Sequence, residues 1–325
     1  MHALVVGAGA VGQVFGYHLA RSGAEVAFLV KPAHAAQCRR GLTLFCLNER
    51  GAPRRRFEDF AVLTSPDDAR GTAFDQVYLA VPSTALRPGD WIAPLARATG
   101  DATVVFLPPN LDDRVLVSQA VSAERLVDGM IGFLSYWAPL PGESRFAEPG
   151  MAYWFPPLSP SPFSGATARV EAVVDALGRG GLPAVRRPDI TRSLPFPNAI
   201  LYAYLAALEL ANWSFATLRR GGRLGLASRA ASEAMAIAAH TIGVSVPLRM
   251  RAAAWPLTIR AALRFAPWVV PLPLEPYVRV HFTKVGGQVR LGLHTYLDLG
   301  AKAGLDTAAL AELTLALPAA TSALR

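Results

Sequence analysis

The chain of 325 residues predicts an α/β protein, with a doubly wound sheet domain over residues 1–188 and an all-helical domain over 189–325. Three observations carry this. Short apolar runs alternate with helical patterns through the first third, as in sheets built from βαβ units. A glycine-rich turn, Gly7-Ala8-Gly9-Ala10-Val11-Gly12, joins the first run to the first helix. From Ile190 onward the texture changes to long Ala- and Leu-rich helical patterns with no strand signal.

The elements follow in order. Ala3–Val6 has the length and composition of a buried parallel strand. Gln13–Ser22 reads as a helix and Glu25–Val30 as the second strand. Together they form a βαβ unit with G-x-G-x-x-G at its first turn. In such a unit Gly7 permits the tight turn and Gly9 lets backbone approach a pyrophosphate. Gly12 lets the helix pack closely on the strand, and the helix start presents N–H groups to negative charge. The reading is a Rossmann-like dinucleotide site. Lys31 stands where an NAD-preferring site places Asp or Glu. A cation there suits a 2′-phosphate, so NADP(H) is the expected cofactor, with Arg39 and Arg40 in reserve.

A short helix runs to Arg40. Leu42–Leu47 and Phe57–Leu63 read as paired strands around a turn at Asn48–Arg56, with Arg54-Arg55-Arg56 solvated in that turn. Gln76–Val81 is a strand, Trp91–Ala98 a helix, and Thr103–Leu107 a strand ending at Pro108-Pro109-Asn110. Asp112–Val121 is helical and Leu126–Phe133 strand-like. The Pro-dense Pro139–Pro162 frames one hairpin, Ser144–Phe155, and a loop, Pro156–Ser164. Ala166–Leu177 is a helix and Ala184–Arg187 a final strand. The second domain reads as helices over Asn198–Leu218, Ser228–Ile242, the Pro-punctuated Pro247–Pro276, Val278–Ala303 and Asp306–Leu317. A substrate is expected in the cleft between the domains, near the C-terminal strand ends.

Composition narrows the function. Hydrophobic residues make up 52% and charged residues 17%, which excludes a disordered chain. The net charge is +8, yet no basic patch interleaved with aromatics appears, so nucleic acid is not an expected partner. Cys38 and Cys46 form neither a disulfide framework nor a metal-ligand spacing, and no metal is expected. A glycine-interrupted N-terminal run is no signal peptide, and a cytoplasmic location is expected. Neither Leu194–Leu218 nor Trp255–Val280 is an uncharged span. Membrane contact is not expected, although the second stretch leaves a peripheral one open. The apolar helices suggest a homodimer.

GAGAVG, Lys31, Gly41-Leu42, Leu79-Ala80-Val81, Asn110, Asn198 and Gly304-Leu305 together resemble the ketopantoate reductase family, within the 6-phosphogluconate-dehydrogenase-like group. The resemblance spans the chain and is specific in its first third. It implies an NADPH domain contacted by Gly7–Gly12, Lys31, Val81 and Asn110, a helical second domain, and hydride transfer to a 2-keto acid. The sequence departs from the family where chemistry is expected. Leu194 replaces the lysine four residues before Asn198, and Tyr202 replaces a further asparagine. Pro82, Leu111 and Gln288 replace a lysine, a glycine and a glutamate.

Reducing a ketone needs a proton or strong hydrogen bond at the forming alkoxide, which Leu194 does not supply. On one continuous helix His281, Lys284 and Gln288 share a face. Lys284 is then the expected catalytic lysine if it is partly buried, with Asn110 and Asn198 as catalytic positioners. Tyr202, His281 and Gln288 join Asn198 as substrate contacts. The alternatives at these positions are a turn asparagine at 110, an N-cap at 198, a core aromatic at 202 and a surface lysine at 284. The function read from the sequence is an NADPH-dependent oxidoreductase acting on a C=O or C=N group of a small, anionic or partly apolar substrate. The alternative is a catalytically diverged NADP-binding sensor or scaffold.

Overall fold

The computed structural model describes residues 1–88, 90–107 and 110–318. Pro108 and Pro109, expected to close a strand, lie outside the described residues. The chain divides into two compact units, one from Met1–Pro108 and Asp113–Ile190, the other from Pro109–Asp112 and Thr191–Arg325.

The first unit is built on two sheets. In the larger, β1 (His2–Val6) lies between β2 (Glu25–Leu29) and β6 (Gln76–Leu79), all parallel. β5 (Ala61–Leu63) extends the sheet beyond β2, and β7 (Thr103–Phe106) and β8 (Leu126–Gly129) extend it beyond β6. β11 (Ser161–Gly165) then joins β8 antiparallel, and β12 (Ala184–Arg186) joins β11 parallel. Strand order reverses between β1 and β6, the crevice where doubly wound sheets bind ligands. The register sets Val6 opposite both Leu29 and Leu79, and Leu79 opposite Phe106. The turns after β1, β2 and β6 therefore leave the sheet at one level.

The smaller sheet runs β4 (Arg54–Phe57), β3 (Leu42–Cys46), β10 (Gly150–Trp154), β9 (Leu134–Ala138). Helix α1 (Ala10–Arg21) packs against β1 and β2 on one side and β9 and β10 on the other. That double cover explains why Gly12, Val14, Phe15, Gly16, His18 and Leu19 are all buried. At Gly16 an added Cβ would lie 2.4 Å from the Phe28 ring, so only glycine lets the helix sit this close to β2.

Four expectations are corrected. The residues after the hairpin turn do not form one strand: Arg54–Phe57 pairs with β3, whereas Ala61–Leu63 crosses to pair with β2. The arginine run therefore lies on a strand. Its three side chains pair with Glu148, Glu49 and Glu58. The hairpin forms between 134–138 and 150–154 instead of within 144–155. The expected loop at 156–164 supplies β11, whose Pro162 lacks an N–H but accepts from the Met130 N–H through its carbonyl.

In the second unit α7 (Pro195–Leu210) packs along α9 (Arg223–Ile242), with α13 (Gly286–Ala303) and α14 (Ala308–Leu315) beside them. The long helix expected at 198–218 breaks at Asn212 and Trp213, whose φ values are 53° and 60°, before α8 (Phe215–Arg220). The single acids of α7 and α9 both have structural partners. Glu209 holds Arg290 with two contacts, at 2.7 and 3.2 Å. Glu233 accepts the Ala309 and Leu310 N–H groups that open α14.

Candidate functional site

The chemistry-bearing residues fall into two groups, one in each unit. The first is the turn between β1 and α1. Gly7 has φ +95°, and a Cβ there would lie 2.9 Å from the Ala80 carbonyl oxygen and 3.1 Å from Val81 Cγ1. Gly12 is tighter still, since its Cβ would fall 1.8 Å from the Gly7 carbonyl oxygen. These two glycines exist for packing against the protein's own backbone. Gly9 differs, with no heavy atom within 4 Å of its would-be Cβ. Gly9 is also the N-cap of α1 and provides no side-chain cap. The first-turn N–H groups of Ala10, Val11 and Gly12 thus start a helix that no side chain caps, with open space where a Gly9 side chain would stand. The turn is steadied from behind, where Gln13 Nε2 donates to the Ala8 carbonyl at 2.8 Å.

Lys31 is exposed at the end of β2, as the N-cap of α2 (Pro32–Arg39). Arg39 and Arg40 are exposed at the other end of the same helix. Val81 follows β6 and lies against Gly7. Beyond it Ser83 donates to the Asp113 carboxylate at 2.5 Å, and Arg87 pairs with the same carboxylate at 3.1 Å. Asp113 is fully buried. It ties the α3 (Ser83–Leu86) turn to α5 (Asp113–Ser118). Sequence reasoning passed over this carboxylate, because neither partner is near it in the chain.

The second group belongs to the helical unit. Asn110 is buried and Tyr202 is 3% exposed. Both abut Gly292 on α13: a Cβ there would lie 2.4 Å from the Tyr202 ring and 2.9 Å from Asn110 Oδ1. Tyr296, one turn further along α13, is buried and donates to the Pro195 carbonyl at 3.3 Å. Asn198 is one turn before Tyr202 on α7, half-buried and on the same helix face. Since α7 begins at Pro195, Asn198 lies inside the helix and is not its N-cap. Leu194 is buried at that helix start. Gly292 went unnoticed in the sequence. Its signal is a glycine inside a helix, one turn after Gln288.

The shared face of His281, Lys284 and Gln288 is not found. α12 (Leu274–Lys284) ends at Val285, and α13 starts at Gly286, so Gln288 sits on a separate helix. Gly286 and Gly287, poor helix residues, mark the break. Lys284 is exposed, so the burial on which its acid role depended is absent. His281 is half-buried, with its ring near Tyr277 and Phe282. Desolvation, then the nearby Lys284, holds His281 down at about 4. It is a neutral ring at neutral pH.

Comparison with known proteins agrees with this architecture. Residues 3–159 match the model of the family described as ketopantoate reductase PanE/ApbA. No curated protein matches the sequence. Among solved structures, D-mandelate dehydrogenase with NADH and anilino(oxo)acetate is similar with a TM-score of 0.73 at 16% identity, over 97% of this chain and 96% of that one. A PanE/ApbA family ketopantoate reductase from Ralstonia eutropha JMP134 gives 0.72 at 19% identity, over 97% and 96%. The 2-dehydropantoate 2-reductase from Geobacter metallireducens GS-15 gives 0.69 at 19% identity, over 99% and 100%. Residues 3–159 therefore carry the pattern of the ketopantoate reductase PanE/ApbA family, and the fold of the whole chain is that of ketopantoate reductases and related dehydrogenases.

Proposed function

We propose that this protein is an NADPH-dependent oxidoreductase that reduces a C=O or C=N group in a small, anionic or partly apolar substrate. The observation that carries this reading is Gly9: open space where its side chain would stand, at an uncapped helix start framed by two glycines that no other residue can replace. That cradle fits a diphosphate. Gly7 to Gly12, Lys31 and Val81 would hold the dinucleotide, with Lys31 directed to a 2′-phosphate. A nicotinamide bound by them supplies hydride.

The chain's own part is to orient the carbonyl and place a proton on its oxygen. Asn110 and Tyr202, gathered at Gly292, are the proposed pair. The Asn110 amide holds the reacting oxygen, and the Tyr202 phenol donates the proton as negative charge develops there. Asn198, one turn away on Tyr202's face, is the proposed substrate contact, and Gln288 and the neutral His281 are proposed as further substrate contacts. Lys284 is left as an anchor for an anionic group and is not assigned the proton.

A second reading rests on Leu194, buried and apolar where a proton donor is expected: a dinucleotide-binding sensor without turnover. Calorimetry with NADPH and NADH, followed by NADPH oxidation across 2-keto acids, aldehydes and imines, separates the two. Binding with turnover supports the enzyme. Binding without turnover across the panel supports the sensor. No binding of either dinucleotide removes both.

A further inference from the structure

The most unusual surface of the helical unit lies on α11 (Pro256–Val269), a helix with no buried residue. Its inward side is already used, because Ile259 and Leu263 pack against the unit's core. Leu257, Ala261, Phe265 and Trp268 then recur at helical spacing on the opposite side. Phe265 is 53% exposed and Trp268 71%. A helix apolar on both sides has a second surface to cover. α10 (Leu248–Ala253) and its junction with α11 add exposed Leu248 and Trp255.

Charge decides what covers it. Arg260 and Arg264 flank the stripe, and Arg249 and Arg251 lie on α10. The Arg264 guanidinium is stacked 4.7 Å from the Trp268 ring centre, with Phe265 edge-on to the same indole. Between Glu233 and Glu275 the sequence holds no acidic residue at all. A second copy docked on this stripe by two-fold symmetry would bring the arginines of α10 and α11 against their own copies, and neither helix carries a carboxylate to relieve them. A surface of anionic lipid headgroups offers the missing counter-charge, and indole and phenyl rings prefer its interfacial zone. No helix among the described residues is long and apolar enough to cross a membrane. At 14 residues α11 is about 21 Å long, suited to lying in the plane of the headgroups.

We propose that the outer stripe of α11, with Arg260 and Arg264, is a docking surface for an anionic lipid bilayer. The contact is peripheral and reversible, made by ring insertion and arginine–phosphate pairing, and weakened by salt.

The test is flotation of the full-length protein with vesicles of phosphatidylcholine alone or mixed with phosphatidylglycerol. Binding is expected only to the mixed vesicles, with a blue shift of tryptophan emission. Phe265→Asp with Trp268→Asp, and separately Arg260→Glu with Arg264→Glu, should each weaken binding by about tenfold or more. Circular dichroism melts confirm that each variant is folded. Arg54→Glu with Arg55→Glu makes the same charge change on β4 and should leave binding nearly unchanged. Equal weakening by that control would reduce the effect to net charge and overturn the proposal. So would failure to bind mixed vesicles, or light scattering that shows a dimer abolished by the α11 variants.

Discussion

The glycine turn of the first unit and the Gly292 cluster of the second both place a glycine where a side chain would collide, and they do so for different reasons. At Gly7 and Gly12 the collision is with backbone only a few residues away or on the adjacent strand turn. At Gly292 it is with two polar side chains, from residues 110 and 202, far away in sequence. The first arrangement is local and backbone-made, as the proposed recognition of a diphosphate requires. The second is assembled from three segments. On the proposed reading the polar set that meets the substrate can therefore change without disturbing the cradle, and the departures at Leu194 and Tyr202 fall in the region free to vary.

The sharpest way to break this comparison is inside the cradle. Gly12→Val should cost at least about 3 kcal/mol, because the atom it meets is backbone and cannot turn aside. Thermal melts would show it. Gly9→Ala meets nothing and should melt within about 0.5 kcal/mol of wild type, yet weaken dinucleotide binding in calorimetry. If both variants bind normally, the cradle has no ligand.

pH separates the units next. His18 on α1 is 1% exposed and ringed by Tyr17, Tyr153 and Phe155. It donates from Nδ1 to the Gly180 carbonyl at 2.8 Å. Burial holds it down at about 4. Above about 6.5 the ring is neutral in both folded and unfolded chains, and its contribution is complete. As pH falls from 6.5 to 4 only the unfolded chain takes up the proton, so about 3 kcal/mol of stability is lost. Urea melts across this range should show the loss, and His18→Phe should flatten it. Half-buried His281 acts in the same direction with a smaller effect.

Lys31→Ala should lower NADPH affinity about ten- to hundredfold, matching one charge-assisted hydrogen bond of about 1.5–3 kcal/mol, and leave NADH affinity unchanged. Equal loss for both dinucleotides would assign Lys31 a structural role. A modest stability effect belongs to Gly292→Ala. The helix gains about 1 kcal/mol from alanine, while displacing Tyr202 and Asn110 costs about 1–3 kcal/mol. Turnover should fall while dinucleotide affinity holds. An unchanged rate would remove the Asn110–Tyr202 pair from the proposed chemistry.

Much of the first unit was legible in the residues themselves. The G-x-G-x-x-G turn, the apolar parallel strands and the change of texture near residue 190 are each written within a few positions. β11 was hidden by its prolines, and β5 was merged with the strand before it because the two are separated by only three residues. The Lys284 reading failed because a face shared over seven residues requires an unbroken helix, and two glycines end it.

The sequence by itself determined the βαβ start, because hydrophobic periodicity, glycine sterics and helix-end polarity all act between near neighbours in the chain. Only the tertiary structure decided that Asn110 and Tyr202 meet at Gly292, that Arg290 answers Glu209, and that α11 keeps an apolar stripe exposed. Those outcomes depend on which distant surfaces are left uncovered after the core has formed, and no local pattern records that.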